Sequence, residues 1–182
     1  MKINRLCILV ALSSFVIPLL FISIAIAMSD WFNIYDNALS DLGHATRSKV
    51  APIFNIGLSL GAFLLTIFAI NYVKDISRIL MILLLLCAFL LNLVAVFDEV
   101  YGKLHYWVSV AFFISLALLL AGYGYFMKQI VLATIAIAIG VIAWYIHMVY
   151  RIPRGAAIPE LISIFISIPF LIVFAYRNVC RE

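Results

Sequence analysis

Charge is scarce in this chain. Of its 182 residues, 12 are Lys or Arg and 8 are Asp or Glu, 11% in all, against 68% hydrophobic residues and a mean hydropathy of +1.24. Soluble domains carry about 25% charged residues, so a water-exposed globular fold is excluded and the chain reads as an integral membrane protein. Cysteine is scarcer still. Cys7, Cys87 and Cys180 form no spaced pair, no disulfide framework is implied, and no nearby histidine would activate a thiol, so they read as small apolar residues. The three histidines form neither H-x-x-x-H nor H-E-x-x-H, and no serine sits in a G-x-S-x-G turn. No internal repeat marks the duplicated halves of a transporter.

What remains is apolar length. Six runs without Asp, Glu, Lys or Arg approach or exceed the roughly 20 helical residues that cross a hydrocarbon core of about 30 Å. They predict an all-α integral membrane bundle in one domain, 1–182, with spans at about 6–28, 52–73, 79–97, 105–126, 130–150 and 160–176. The last is short, with Pro159 before it and Pro169 inside it, so a kinked or thin final span is expected. Lys2, Arg5 and an Ala25-Ile26-Ala27 ending mimic a secretory signal. The apolar run exceeds the 7–15 residues or so of a signal core, which predicts a retained span.

Lys and Arg on alternate sides divide into Lys2, Arg5, Lys74, Arg78, Lys128, Arg177 and Arg181 against Arg47, Lys49, Lys103, Arg151 and Arg154. The richer side belongs in the cytoplasm, which predicts a multi-pass cell-membrane protein with both termini inside. Asp30, Asp36, Asp41, Asp98, Glu99 and Glu160 then face outward. The net charge of +4 is an inward-facing excess that reads as topology and contact with anionic lipid, not nucleic acid. All three histidines, His44, His105 and His147, fall at the outer face. Within the spans, Gly57 with Gly61 and Ala136 with Gly140 have the small-x-x-x-small spacing that lets helices approach closely, here as contacts inside one bundle. Asn55, Asn71 and Asn92 are expected to face protein, because an unpaired amide in hydrocarbon costs several kcal/mol.

The connector MSDWFNIYDNALSDLGHATRSK is too polar to cross. Its residues Trp31, Ile34, Tyr35, Ala38, Leu42 and Ala45 repeat at helical spacing, opposite a stripe of Asn33, Asn37, Ser40, His44 and Arg47 with Asp41 at its edge. This pattern predicts an outer-face amphipathic helix over about 31–46. At Asn37, Ser40, Asp41, Leu42 and Gly43, followed by Phe54, Asn55 and Gly57, the chain resembles the prokaryotic membrane family called domain of unknown function nine-nine-eight. It is distantly similar to the Frag, DRAM and Sfk type of six-span proteins, which are associated with lipid trafficking. The first resemblance implies six spans and singles out Ser40 and Asp41. It implies no reaction.

Three groups of polar residues carry the candidate chemistry. A metal reading has His44, His105 and His147 hold Zn²⁺ with Asp98 or Asp41 as ligand or base, as in a membrane hydrolase acting on a lipid, because an open Zn²⁺ position lowers the pKa of bound water. A binding reading has Arg151 and Arg154 hold a lipid phosphate bidentately beside Glu160. A third reading is a proton-coupled carrier using Asp98 and His105. Candidate catalytic residues are Ser40, Asp41 and Asp98. The leading expectation is recognition or modification of a lipid headgroup or small amphiphile at the outer face, with membrane lipid as partner.

Overall fold

The computed structural model describes residues 3–181; Lys2, one of the inner cations, lies outside them. Among the described residues there are six helices long and apolar enough to cross a membrane. They are α1 (Arg5–Ala27), α2 (Ala51–Phe68, extended by a π turn Ala69–Val73), α3 (Arg78–Val96), α4 (Lys103–Phe126), α5 (Ile130–Tyr150) and α6 (Ala157–Phe174, extended by a π turn Ala175–Val179). At 1.5 Å per residue, a 23-residue span such as α1 is about 35 Å long, enough to cross with some tilt. The sixth span is not thin. It starts before Pro159 and runs 23 residues to Val179, because Pro159 lies in the first turn, where a missing N–H costs nothing.

Local signals set the ends of the helices. The Asn4 side chain accepts from the Cys7 N–H at 3.1 Å and the Ser77 hydroxyl from Leu80 N–H at 3.3 Å, N-caps that satisfy otherwise free donors. Helix α5 ends at Arg151, which takes the left-handed conformation shortly before Pro153. Exposed Trp31, Tyr35, Tyr101, Tyr106, Trp107, Tyr145 and Tyr150 ring the end of the bundle away from the termini, labelled outer after the orientation expected from charge, and Tyr125 and Tyr176 mark the end that carries the termini, labelled inner, as expected of rings at the headgroup level.

The interior has two apolar clusters. The inner one gathers Cys7, Phe68, Leu84, Tyr123, Phe174 and Cys180 with their neighbours. The outer one gathers Ile22, Leu39, Leu42, Phe54, Leu58 and Ala157. Helix α1 lies along α2 because glycine removes the obstruction: a Cβ at Gly57 would meet Phe21, and one at Gly61 would meet Pro18 and the Ser14 carbonyl. Gly140 likewise faces Ile166 of α6. The small-residue spacings are therefore contacts within one bundle, as expected. Asn71 and Asn92 differ from expectation, since both are exposed; Asn71 satisfies a donor on the Ile67 carbonyl at 3.0 Å, which lets it face outward. Asn55 is partly buried and donates to Gly43 O at 3.0 Å.

Two expectations fail outright. Cys7 and Cys180 are joined by a disulfide and only Cys87 is free. The pairing is invisible to spacing because it depends on antiparallel spans returning the last turn of the chain to the first. The Asn4 N–H also bonds Cys180 O at 2.9 Å. Nor is the connector over 31–46 an amphipathic helix: it is a series of turns with one 3-10 helix, Leu39–Gly43. Its side chains compete with the helix for backbone groups. Asn33 accepts from Tyr35 N–H at 2.9 Å, Asn37 from Asn33 N–H at 2.9 Å and Asp41 from Ala38 N–H at 2.9 Å.

Candidate functional site

The first outer connector folds over the bundle and is zipped to the last one. Gly155 N–H donates to Tyr35 O at 2.8 Å and Ala157 N–H to Asn37 O at 3.0 Å. A Cβ at Gly155 would run into the Asn37 backbone, so only glycine lets the two strands of chain come this close. The zipper drives Leu39 and Leu42 into the outer apolar cluster and turns Ser40 and Asp41 towards the ends of α4 and α6.

There the site assembles. The Ser40 hydroxyl donates to Glu99 Oε1 at 2.6 Å across 59 residues of sequence. Glu99 comes from a short 3-10 turn, Glu99–Tyr101. Its Oε1 is 3.8 Å from His105 Nε2 at the start of α4. The imidazole is fixed from both sides: Nδ1 pairs with the Phe97 carbonyl at 2.7 Å, and Nε2 is 3.3 Å from the Ser109 hydroxyl. Nδ1 must be the donor to a carbonyl. Glu160, in the first turn of α6 and buried, accepts the Leu39 N–H on Oε2 at 2.7 Å. Asp41 takes Asn37 Nδ2 at 3.0 Å and Ala38 N–H on the same oxygen, Oδ2, and its charge is felt by both Glu99 and Glu160.

Three carboxylates thus share a half-buried outer recess with one imidazole. Burial pushes the Glu99 carboxyl above the ordinary glutamate value of 4.5; the Ser40 hydroxyl and His105 pull it down, and Asp41 pushes it up again. The arrangement can hold a proton or a cationic donor. It does not make Ser40 a histidine-activated nucleophile, because the serine proton points at Glu99 and not at the imidazole.

Of the residues anticipated from sequence, Ser40, Asp41, Glu160 and His105 are brought together. Asp98 is not. Its carboxylate caps the 3-10 turn, accepting the Val100 N–H at 2.8 Å, and the next residue, Glu99, reaches the cluster instead. The metal set is a correction as well: His44 pairs with Thr46 at 3.4 Å, His147 Nδ1 with the Pro153 carbonyl at 2.9 Å, and His105 with Phe97. Among the described residues no group of three or more His, Cys, Asp or Glu could hold a metal ion, so His44, His105, His147 and Asp98 are not gathered into the ligand set expected from sequence. Each ring is spent on its own connector, a local bond that sequence spacing does not reveal. Arg154 pairs with Asp36 at 2.8 Å and is 82% exposed; Arg151 is exposed beside it. Both lie on the connector that leads into Glu160.

A family model described as Protein of unknown function (DUF998) matches residues 11–177. The chain belongs to this family. The match takes in both outer connectors that build the recess, and with them Ser40, Asp41, Glu99, His105 and Glu160. No curated protein and no solved structure matches the chain.

Proposed function

We propose that this DUF998 protein recognises, at its outer face, an amine-bearing headgroup of a lipid or small amphiphile. The observation that carries the reading is the convergence of Asp41, Glu99 and Glu160 with Ser40 from three separate stretches of chain at one end of the bundle. A primary ammonium offers three donors to a site rich in acceptors, and its charge relieves the mutual repulsion of the carboxylates. Arg151 and Arg154 on the rim are suited to the phosphate of the same headgroup, because a guanidinium pairs with phosphate oxygens in a planar fork. The 2.8 Å contact of Arg154 with Asp36 is exposed enough to exchange for a ligand at little cost.

The test is lipid retention by the purified protein in nanodiscs, read by native mass spectrometry. A phosphoethanolamine lipid is expected to be retained over a phosphoglycerol lipid of the same chains. Glu99→Gln and Glu160→Gln should each reduce that preference by about tenfold, the equivalent of one lost contact of about 1.4 kcal/mol. Equal retention of the two headgroups by the native protein would remove the reading.

A further inference from the structure

Between its inner and outer apolar clusters the bundle leaves a cavity of about 130 Å³. Helices α1, α2, α3, α4 and α6 line it; α5 does not. The wall is mostly apolar. Its two serine hydroxyls are occupied within their own helices, Ser14 on the Ala11 carbonyl and Ser167 on the Ser163 carbonyl, each at 2.7 Å, and the Cys87 thiol pairs with Ser115; the Tyr123 hydroxyl alone among the lining groups is left unpartnered, one polar partner where water needs more. Water needs two to four polar partners to stay in such a space, whereas an apolar cavity of about 150 Å³ stays dry and takes up benzene or xenon. The size and lining of the cavity suit hydrocarbon better than water.

Its position relates it to the recess above. On α6, Ile164, Ile168 and Leu171 line the cavity and follow Glu160 by 4, 8 and 11 residues, the spacing of one helical face. On α4, Phe112, Leu116 and Leu119 follow His105 by 7, 11 and 14, again one face. The same faces thus carry the recess at the outer end and the cavity beneath it. Ile22 and Leu58 in the cavity wall belong to the cluster that contains Leu39 and Leu42, which flank Ser40 and Asp41. The same apolar cluster thus touches both the cavity and the segment that carries Ser40 and Asp41. Helix α1 packs extensively on α2 but sparsely on α6, although both line the cavity. The Cys7–Cys180 disulfide ties α1 to the chain after α6 at the inner end only. Above that tie, α1 and α6 make few contacts with each other.

We propose that this cavity binds the end of one alkyl chain, that of a single-chain amphiphile drawn from the bilayer through the α1–α6 seam, with its head in the acidic recess. The placement of the head rests on the headgroup reading above; the chain site does not. The volume admits one chain end and excludes a pair, which sets a single-chain amphiphile apart from an ordinary two-chain lipid seated whole in the bundle.

Two dodecyl probes test this, each with a diazirine at the terminal carbon, one with an amine head and one with a hydroxyl head, added to the protein in nanodiscs. After irradiation, both are expected to label cavity residues such as Leu84, Leu116 or Leu171. Ser167→Phe, which fills the space, should cut that labelling by about tenfold. Cys87 provides a readout on the unaltered protein, since it is free and lines the cavity: both probes, left unirradiated, should slow its alkylation by N-ethylmaleimide. Labels confined to outward-facing residues such as Phe89 or Ile142, with no protection of Cys87, would overturn the chain site. The head is judged separately. Loss of amine-probe labelling alone in Glu160→Gln supports both parts, whereas an unchanged amine probe in that variant removes the headgroup reading and leaves the chain site standing.

Discussion

Glu99 is the residue on which the recess turns, and its neighbours give it a measurable signature. Burial and the Asp41 charge raise its proton affinity; the Ser40 hydroxyl and His105 restrain it. A carboxyl that binds its proton more tightly folded than unfolded stabilises the fold fully below the unfolded value near 4.5. That contribution is lost as pH rises through the higher folded value. The thermal midpoint of the detergent-solubilised protein is therefore expected to fall as pH rises through the range above 4.5, and Glu99→Gln, which cannot ionise, should flatten that slope. An unchanged slope in the variant would place the titration elsewhere. Ser40→Ala removes a hydrogen bond to a charged group, a change of about 1.5–3 kcal/mol, and should move the Glu99 titration to still higher pH, readable by carboxyl infrared bands. The sequence showed that Asp98 and Glu99 lie at the outer boundary, but choosing between adjacent acids needs the turn itself. Once Asp98 caps that turn, the carboxylate free to reach Ser40 is that of Glu99.

The elements divide sharply in how much of them could be read from sequence. The spans were legible because burial in lipid demands about 20 apolar residues in a row, a signal that no neighbouring contact alters. The connector was not. Its apolar spacing fits a helix, yet Asn33, Asn37 and Asp41 take up backbone groups locally, and the remaining Tyr35 and Asn37 carbonyls find partners 120 residues away by sequence, at Gly155 and Ala157. Periodicity carries no information about partners that distant. Two substitutions test the packing that results. Gly155→Ala puts a methyl group into the Asn37 backbone, where nothing flexible can yield, and should destabilise by about 1–3 kcal/mol while loosening the recess, so that amide hydrogen exchange at 35–41 quickens. Gly61→Val should cost a similar about 1–3 kcal/mol by forcing α1 off α2, but its effect on exchange should spread along both helices and spare the outer connector. Matching exchange patterns in the two variants would show that the zipper and the α1–α2 seam are one unit and not two.

At the scale of the whole molecule, the ends of the chain and the charge count bear on the same question. Six spans return the C-terminus to the side of the N-terminus, and the Cys7–Cys180 disulfide joins the two across a sequence separation of 173. Chain entropy assigns about 4.7 kcal/mol to closing a loop of 100 residues, but helices that stay inserted after denaturation shorten the effective loop. The Cys180→Ser variant should therefore lose less than that, about 2–4 kcal/mol, as a lower midpoint in detergent. Disulfides are rare in the cytosol of mesophiles because soluble thiols reduce them, which runs against the inside placement that the Lys and Arg distribution predicts. Both half-cystines are buried, at 0% and 1% exposure, and they sit in the inner apolar cluster, where a thiolate cannot approach without desolvation; burial would shield the bond from reduction on either side of the membrane. The orientation is checked with an impermeant maleimide on intact cells carrying a single introduced cysteine, the native Cys87 being buried. A cysteine at the exposed Lys49 should label and one at the exposed Asp75 should not. The reverse pattern would turn the protein over, put the clasp in the oxidising compartment, and direct the acidic recess at the cytoplasmic leaflet, whose lipids would then be the ones to test.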